Sequence, residues 1–213
     1  MPFKPGKREY RSIEMVPGPA ENRFNSEFYV EGHATTFNTP YELYQIDDTV
    51  YYEQVDRNAF VGADCSDVIF QYNHEGRVFA RLSNDTLYIA PTDEGLLVCA
   101  DLGKTSEARK MYEDIASGMV TKMSWAFTVK EELYDRETHT RTILKVDKIY
   151  DVSAVSIPAN DGTDISARSY AEGRAEAEAQ ELRERENREK AVELERMKLQ
   201  LKMKLNEGRT KND

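Results

Sequence analysis

Three side chains in this sequence are of the types that acyl transfer needs: the hydroxyl of Ser124, the imidazole of His74 and the carboxylate of Asp151. A serine hydroxyl attacks a carbonyl efficiently only when a base removes its proton. A neutral imidazole can take that proton and return it to the leaving amine, while a carboxylate fixes the ring's tautomer and stabilises its charged form. Of the three histidines, His74 ends a strand-like run between polar neighbours, whereas His33 falls within an apparent strand and His139 within an exposed charged turn. Asp151, at the mouth of another strand, is the natural third member. Glu75, adjacent to the histidine, and Asp161, further along, are the alternatives. Singly, each residue has a plain reading, since most lone histidines are structural and most strand serines are half-exposed. Chemistry requires that the three converge.

Competing constellations are weaker. Asn73-His74-Glu75 hints at a nuclease, but no second histidine stands in metal-binding register and no basic groove accompanies it. The glycine-rich nucleotide loops GxGxxG and GxxxxGK[ST] are absent, as is the GxSxG elbow of the common hydrolases. Cys65 and Cys99 suggest neither a disulfide scaffold nor a zinc site, and read as reduced, small apolar residues. No metal or organic cofactor is expected.

The elements that must position these groups are mostly strands. From Met123 the chain alternates: Met123, Trp125, Phe127 and Val129 form an apolar row, and Ser124, Ala126, Thr128 and Lys130 the other. Burying the first row leaves Ser124 on the opposite face, where a hydroxyl meets substrate. Ahead of it, Thr105 or Ser106 caps a helix running to Ser117, with Ala108, Met111, Tyr112, Ile115 and Met119 as its apolar face and Gly118 as its terminator. Further strands are expected at Arg11 to Met15, Phe28 to Thr35, Thr49 to Val55, within the run Asp67 to Arg77 (ending in a polar tip closed by Gly76), Thr86 to Ala90, Leu96 to Leu102, 141–150 and Asp151 to Ile157. A short helix is expected from Asp56, and turns at Asn38-Thr39-Pro40 and Pro158-Ala159-Asn160-Asp161-Gly162. Short strands at this spacing with one internal helix favour an antiparallel barrel or barrel-like sheet over repeated βαβ units.

Charge divides the chain. Of 39 acidic and 29 basic side chains, residues 170–213 carry 11 of each, so the whole net charge of −10 belongs to residues 1–169. An acidic body lacks the concentrated basic face that phosphate binding needs, so direct nucleic-acid binding is not expected. No signal peptide or membrane-length apolar run appears, which gives the expectation of an intracellular, soluble protein. Residues 1–24 read as a flexible segment, 25–168 as the body and 169–213 as a charged helical tail. In the tail, Ala191, Leu194, Leu201 and Leu205 approximate a heptad that Lys198 interrupts, which fits a long solvated helix, a weak coiled coil or a removable interaction segment.

Four motifs in order carry a resemblance. Tyr72-Asn73-His74-Glu75, Gly95-Leu96-Leu97-Val98, Gly118-Met119 with Met123-Ser124-Trp125-Ala126-Phe127, and Asp151-Val152-Ser153-Ala154-Val155 with Pro158-Ala159 resemble the HK97-type tailed-phage prohead maturation proteases, themselves distantly similar to herpesvirus capsid assembly proteases. The likeness covers roughly residues 25–168. It departs from the usual pattern where Met-Ser-Phe-Gly-Phe becomes Met123-Ser124-Trp125-Ala126-Phe127 and Leu-Gly-Arg becomes Phe79-Ala80-Arg81, neither of which removes a catalytic group.

The resemblance implies an α+β, mainly β fold: a herpesvirus-protease-like antiparallel β-barrel with flanking helices, here followed by the long C-terminal helix. It implies Ser124 as nucleophile, His74 as general base and Asp151 as the acidic third member. It further implies a serine endopeptidase, working without cofactor inside a prohead assembled in the host cytoplasm. Its substrates would be the major capsid protein and its scaffold segment or a separate scaffold protein, with self-cleavage and possible self-association, and without membrane or direct nucleic-acid partners. The rival expectation is a capsid-assembly or scaffold-binding protein without catalytic activity, which the helical tail favours.

Overall fold

The strand carrying Ser124 becomes central because both of its edges are taken. The computed structural model of the protein describes residues 8–14, 23–156 and 165–209. In it β9 (Lys122–Asp135) lies between β1 (Glu9–Glu14) and β10 (Thr140–Val155), antiparallel to both. The apolar row Met123, Trp125 and Phe127 is fully buried, with Trp125 stacked on Phe127 at 3.8 Å between ring centroids. Burying each of these large side chains contributes about 2–3 kcal/mol.

β10 is the hub. One edge pairs with β9, and the other takes two short strands in parallel: β4 (Thr49–Val55) along Thr140 to Ile143, and β5 (Ile69–Tyr72) along Asp151 to Ala154. β3 (Tyr41–Ile46) pairs with β4, and β6 (Glu75–Arg81) with β5. A second, three-stranded sheet holds β2 (Tyr29–Thr36), β8 (Gly95–Asp101) and β7 (Leu87–Pro91), in that order. Gly95 is required there by close approach: a Cβ on it would stand 2.0 Å from the Thr35 carbonyl oxygen.

The fold is thus mainly β with two helices, as expected, but the closed antiparallel barrel is not what the pairing shows. Among the described residues the strands form two open sheets, because β10 spends one edge on two short parallel partners and β1 and β3 end the main path unpaired. A single helix, α1 (Ser106–Ala116), stands in for the flanking helices. The Thr105 hydroxyl caps it by accepting from Ala108 N–H, and Ala108, Met111 and Ile115 are buried. Gly118, at φ +75°, turns the chain out of the helix, which leaves Met119 exposed rather than on the apolar face.

Two expected elements change. Asp56 starts a turn rather than a helix: its carbonyl accepts from Ala59 N–H and its carboxylate from Asn58 N–H. β3 appears where no strand was expected, and β6 begins within the expected polar tip and runs past it; both lie at sheet edges, β6 with mostly exposed side chains and β3 with Leu43 buried. The turn at Pro158 to Gly162 lies outside the described residues.

β10 carries four register shifts against β9. The last falls between the pairs Ile149–Phe127 and Asp151–Ala126, leaving Tyr150 as the extra residue of a bulge. Ile149, Val152 and Ala154 therefore share the core face with Phe127, Trp125 and Met123, while Asp151 and Ser153 share the other face with Ala126 and Ser124.

On the core face, at the far end of β1, four charged side chains are buried together: Glu9, Arg11, Glu53 and Arg141. Arg11 donates to Glu9 and Glu53, and Arg141 to Glu9, Glu53 and Glu132. Burial by itself would lower both guanidinium groups, but the surrounding carboxylates outweigh it and hold them well above the usual range. Cys99 is buried and Cys65 half-buried, both as free thiols that burial pushes up.

Contacts gather the described residues up to Ala171 into one unit and those from Glu172 into another. α2 (Ile165–Arg209) is a single 45-residue helix. Leu182, Val192, Leu194 and Met197 on it are exposed, and Gln180–Glu184, Arg185–Glu189 and Glu195–Lys198 pair along its surface.

Candidate active site

Of the three residues expected from their type, His74 stands within hydrogen-bonding distance of both Ser124 and Asp151. His74 Nε2 lies 2.7 Å from Ser124 Oγ, and His74 Nδ1 lies 2.6 Å from Asp151 Oδ1. Ser124 and Asp151 reach the same face through the β10 bulge, across the β9–β10 ladder. His74 arrives from the far side of β10, at the tip of the β5–β6 hairpin.

That tip is as short as a hairpin allows. Tyr72 pairs with Glu75, so Asn73 and His74 alone make the turn, at φ +50° and +60°. Two left-handed residues are what the type I′ form of a two-residue hairpin turn requires, and glycine usually takes the second place. Histidine there accepts a strained backbone, on the order of 1 kcal/mol, in exchange for a fixed side chain next to the sheet. The tip is moored to the end of β10: Asn73 N–H donates to Ala154 O, Asn73 Oδ1 accepts from Ser156 N–H, and His74 N–H donates to Ser153 Oγ.

Of the alternatives for the third position, Glu75 is exposed at the start of β6, and Asp161 lies outside the described residues. His33 lies in β2 near Thr92 and Glu94, and His139 in the β9–β10 turn beside Tyr134; neither joins the cluster.

Residue-type reasoning missed three contributors. Ser153, fully buried, donates to Asp151 Oδ1 at 2.9 Å while accepting from the His74 amide. Its signal was its place two residues after Asp151, on the same strand face. Asn73 supplies the mooring just described. Tyr10, on β1, sets its ring edge-on to His74 with centroids 4.6 Å apart; it pairs with Ala126, and so stands on the face of Ser124.

The face is closed over the hydroxyl. Ser124 is only 1% exposed, against the expectation of a strand face open to substrate. Beside the hairpin, between β6 and α1, a cleft of about 450 Å³ is lined by Tyr72, Phe79 and Met111 together with Glu75, Arg77 and Asp114. Among the described residues no group of three or more His, Cys, Asp or Glu side chains is placed to hold a metal ion. No helix among them is long and apolar enough to cross a membrane.

A hydroxyl on an imidazole whose other nitrogen meets a buried carboxylate is the arrangement that generates an alkoxide-like nucleophile without a metal. Compared with known proteins, residues 18–176 match the family model described as caudovirus prohead serine protease. No curated protein and no solved structure gives a match.

Proposed function

Given that the chain belongs to the caudovirus prohead serine protease family, we propose that it is a serine endopeptidase that cleaves scaffold and major capsid protein segments inside the immature head, and then itself. The observation that carries this reading is the continuous chain of hydrogen bonds Ser124–His74–Asp151.

In the proposed reaction Ser124 Oγ attacks the scissile carbonyl as its proton passes to His74 Nε2. The tetrahedral intermediate collapses, the C–N bond breaks, and the imidazolium returns that proton to the departing amine. Water, deprotonated by His74 in turn, attacks the acyl-enzyme; the acid is released and Ser124 recovers its proton. Asp151 holds the ring and balances its charge in both halves. Backbone amides near Ser124 stabilise the oxyanion. The cleft between β6 and α1 takes substrate side chains flanking the scissile bond. Residues 25–168 form the protease domain, and the helical tail binds scaffold or capsid protein during co-assembly.

The test is co-expression with the capsid and scaffold proteins of the same phage. Ser124→Ala abolishes their cleavage while the protein keeps its circular dichroism spectrum. Cleavage that continues in the variant removes Ser124 from the role of nucleophile. A wild-type chain that leaves both proteins intact within assembled proheads favours the non-catalytic assembly role.

A further inference from the structure

Ser153 has no part in the reaction just described, yet it touches two of its three members. Resting on that reading, we propose that Ser153 is a positioning residue, which locks the His74 imidazole in the tautomer that accepts the proton of Ser124.

The assignment follows from counting donors and acceptors. The backbone N–H of His74 can only donate, so its 3.2 Å contact with Ser153 Oγ uses a lone pair of the hydroxyl. The single hydroxyl proton is then free for Asp151 Oδ1, 2.9 Å away. That oxygen, receiving a proton from Ser153, is an acceptor, and it is the same oxygen that lies 2.6 Å from His74 Nδ1. Facing an acceptor, Nδ1 must carry hydrogen. A neutral ring with hydrogen on Nδ1 has a bare Nε2, and Nε2 is the atom 2.7 Å from Ser124 Oγ. Every proton in the cycle is placed once the main-chain amide is taken as its fixed point.

The same hydroxyl ties the base at two levels. It holds the amide of a residue in a left-handed turn, and through Asp151 it holds that residue's ring. The register explains why this position can do both: on β10, Ser153 stands opposite Ser124 of β9 on one side and opposite Gln71 of β5 on the other. It lies between the strand of the nucleophile and the hairpin of the base. It is also 0% exposed, so no solvent competes for its bonds. A residue that only filled space would need neither bond.

The experiment uses the full chain with Ser153→Ala and, as a nearly isosteric poor donor that preserves packing, Ser153→Cys. Activity is read on a peptide spanning the cleavage site mapped in co-expression. Both variants are expected to lose on the order of 10- to 100-fold in kcat/KM, chiefly in kcat. Wild-type kcat/KM in either folded variant, or a loss carried by KM alone, overturns the assignment. Hydrogen exchange of the His74 amide, followed by NMR in Ser124→Ala and in Ser124→Ala/Ser153→Ala, needs no activity at all. Exchange is expected to rise about tenfold or more in the double variant, and unchanged exchange also overturns the assignment. If Ser124→Ala still cleaves, the protease mechanism fails while the exchange result still decides whether Ser153 holds the His74 backbone.

Discussion

Ile149 and Asp151 stand two residues apart on one strand and face opposite sides of the sheet. Plain alternation would put both in the core beside Phe127. The bulge at Tyr150 reverses the phase, so that β10 delivers Ile149 to the core and Asp151 and Ser153 to the face of Ser124. One extra residue thereby converts a core strand into the floor of a polar site.

Asp151→Asn tests what that carboxylate does. The amide fills the same space, but it can present N–H where His74 Nδ1–H needs an acceptor, and so favours the opposite tautomer. The expected loss is about 10³- to 10⁴-fold in kcat, with secondary structure unchanged by circular dichroism. A loss below tenfold removes Asp151 from the third position.

The buried charge cluster sets acid stability. Burial would raise the Glu53 carboxyl, but Arg11 and then Arg141 outweigh it and bring it down to about 2 from an ordinary 4.5. A carboxyl depressed by folding contributes stability that is complete above its unfolded value and disappears as pH falls through its folded value. The contribution is therefore lost between about pH 4.5 and pH 2. Glu53→Gln, which leaves Arg11 and Arg141 one carboxylate short, is expected to cost about 3–5 kcal/mol at pH 7 and to flatten this part of the pH dependence. Urea unfolding at pH 7, 4 and 3 gives the comparison. Parallel stability curves for variant and wild type across the acid range contradict the assignment.

β1 lies ahead of the matched residues 18–176, yet it pairs with the strand of Ser124 and sets Tyr10 against His74. Tyr10→Ala is expected to open the face over Ser124 and to raise its labelling rate by a fluorophosphonate about threefold or more in the isolated protein. Labelling that stays equal or slows shows that Tyr10 supports the base rather than covering it. The charge cluster keeps β1 docked in this variant, since Glu9 and Arg11 point to the opposite face.

The legible parts were those governed by a single rule. The alternation from Met123 to Val129 placed β9, the spacing of Ala108, Met111 and Ile115 placed α1, and chemistry alone brought forward Ser124, His74 and Asp151. What stayed hidden depended on two rules at once. In β10, Ile143, Val146, Ile149 and Val152 recur every three residues, which matches no regular strand; register shifts in the ladder account for the spacing. β6 opens with exposed residues because it is an edge, and so reads as the polar tip of the strand before it. Glu9, Arg11, Glu53 and Arg141 look like surface charges until three strands, β1, β4 and β10, bring them together. The parallel pairing of β4 and β5 with β10 joins residues roughly 80 apart, and no local pattern announces it.

The position of β10 in the chain has a consequence for synthesis. Among the described residues it is the last strand of the main sheet to be made, and it alone joins the β1–β9, β3–β4 and β5–β6 pairs to one another. Asp151 and Ser153 are also borne on its final turn of register. A growing polypeptide that has displayed Ser124 and His74 still lacks the strand that brings them together, because such long-range pairings form only when both partners exist. On the proposed mechanism, every unfinished copy would lack proteolytic competence, and the order of synthesis would act as the first safeguard against premature cutting.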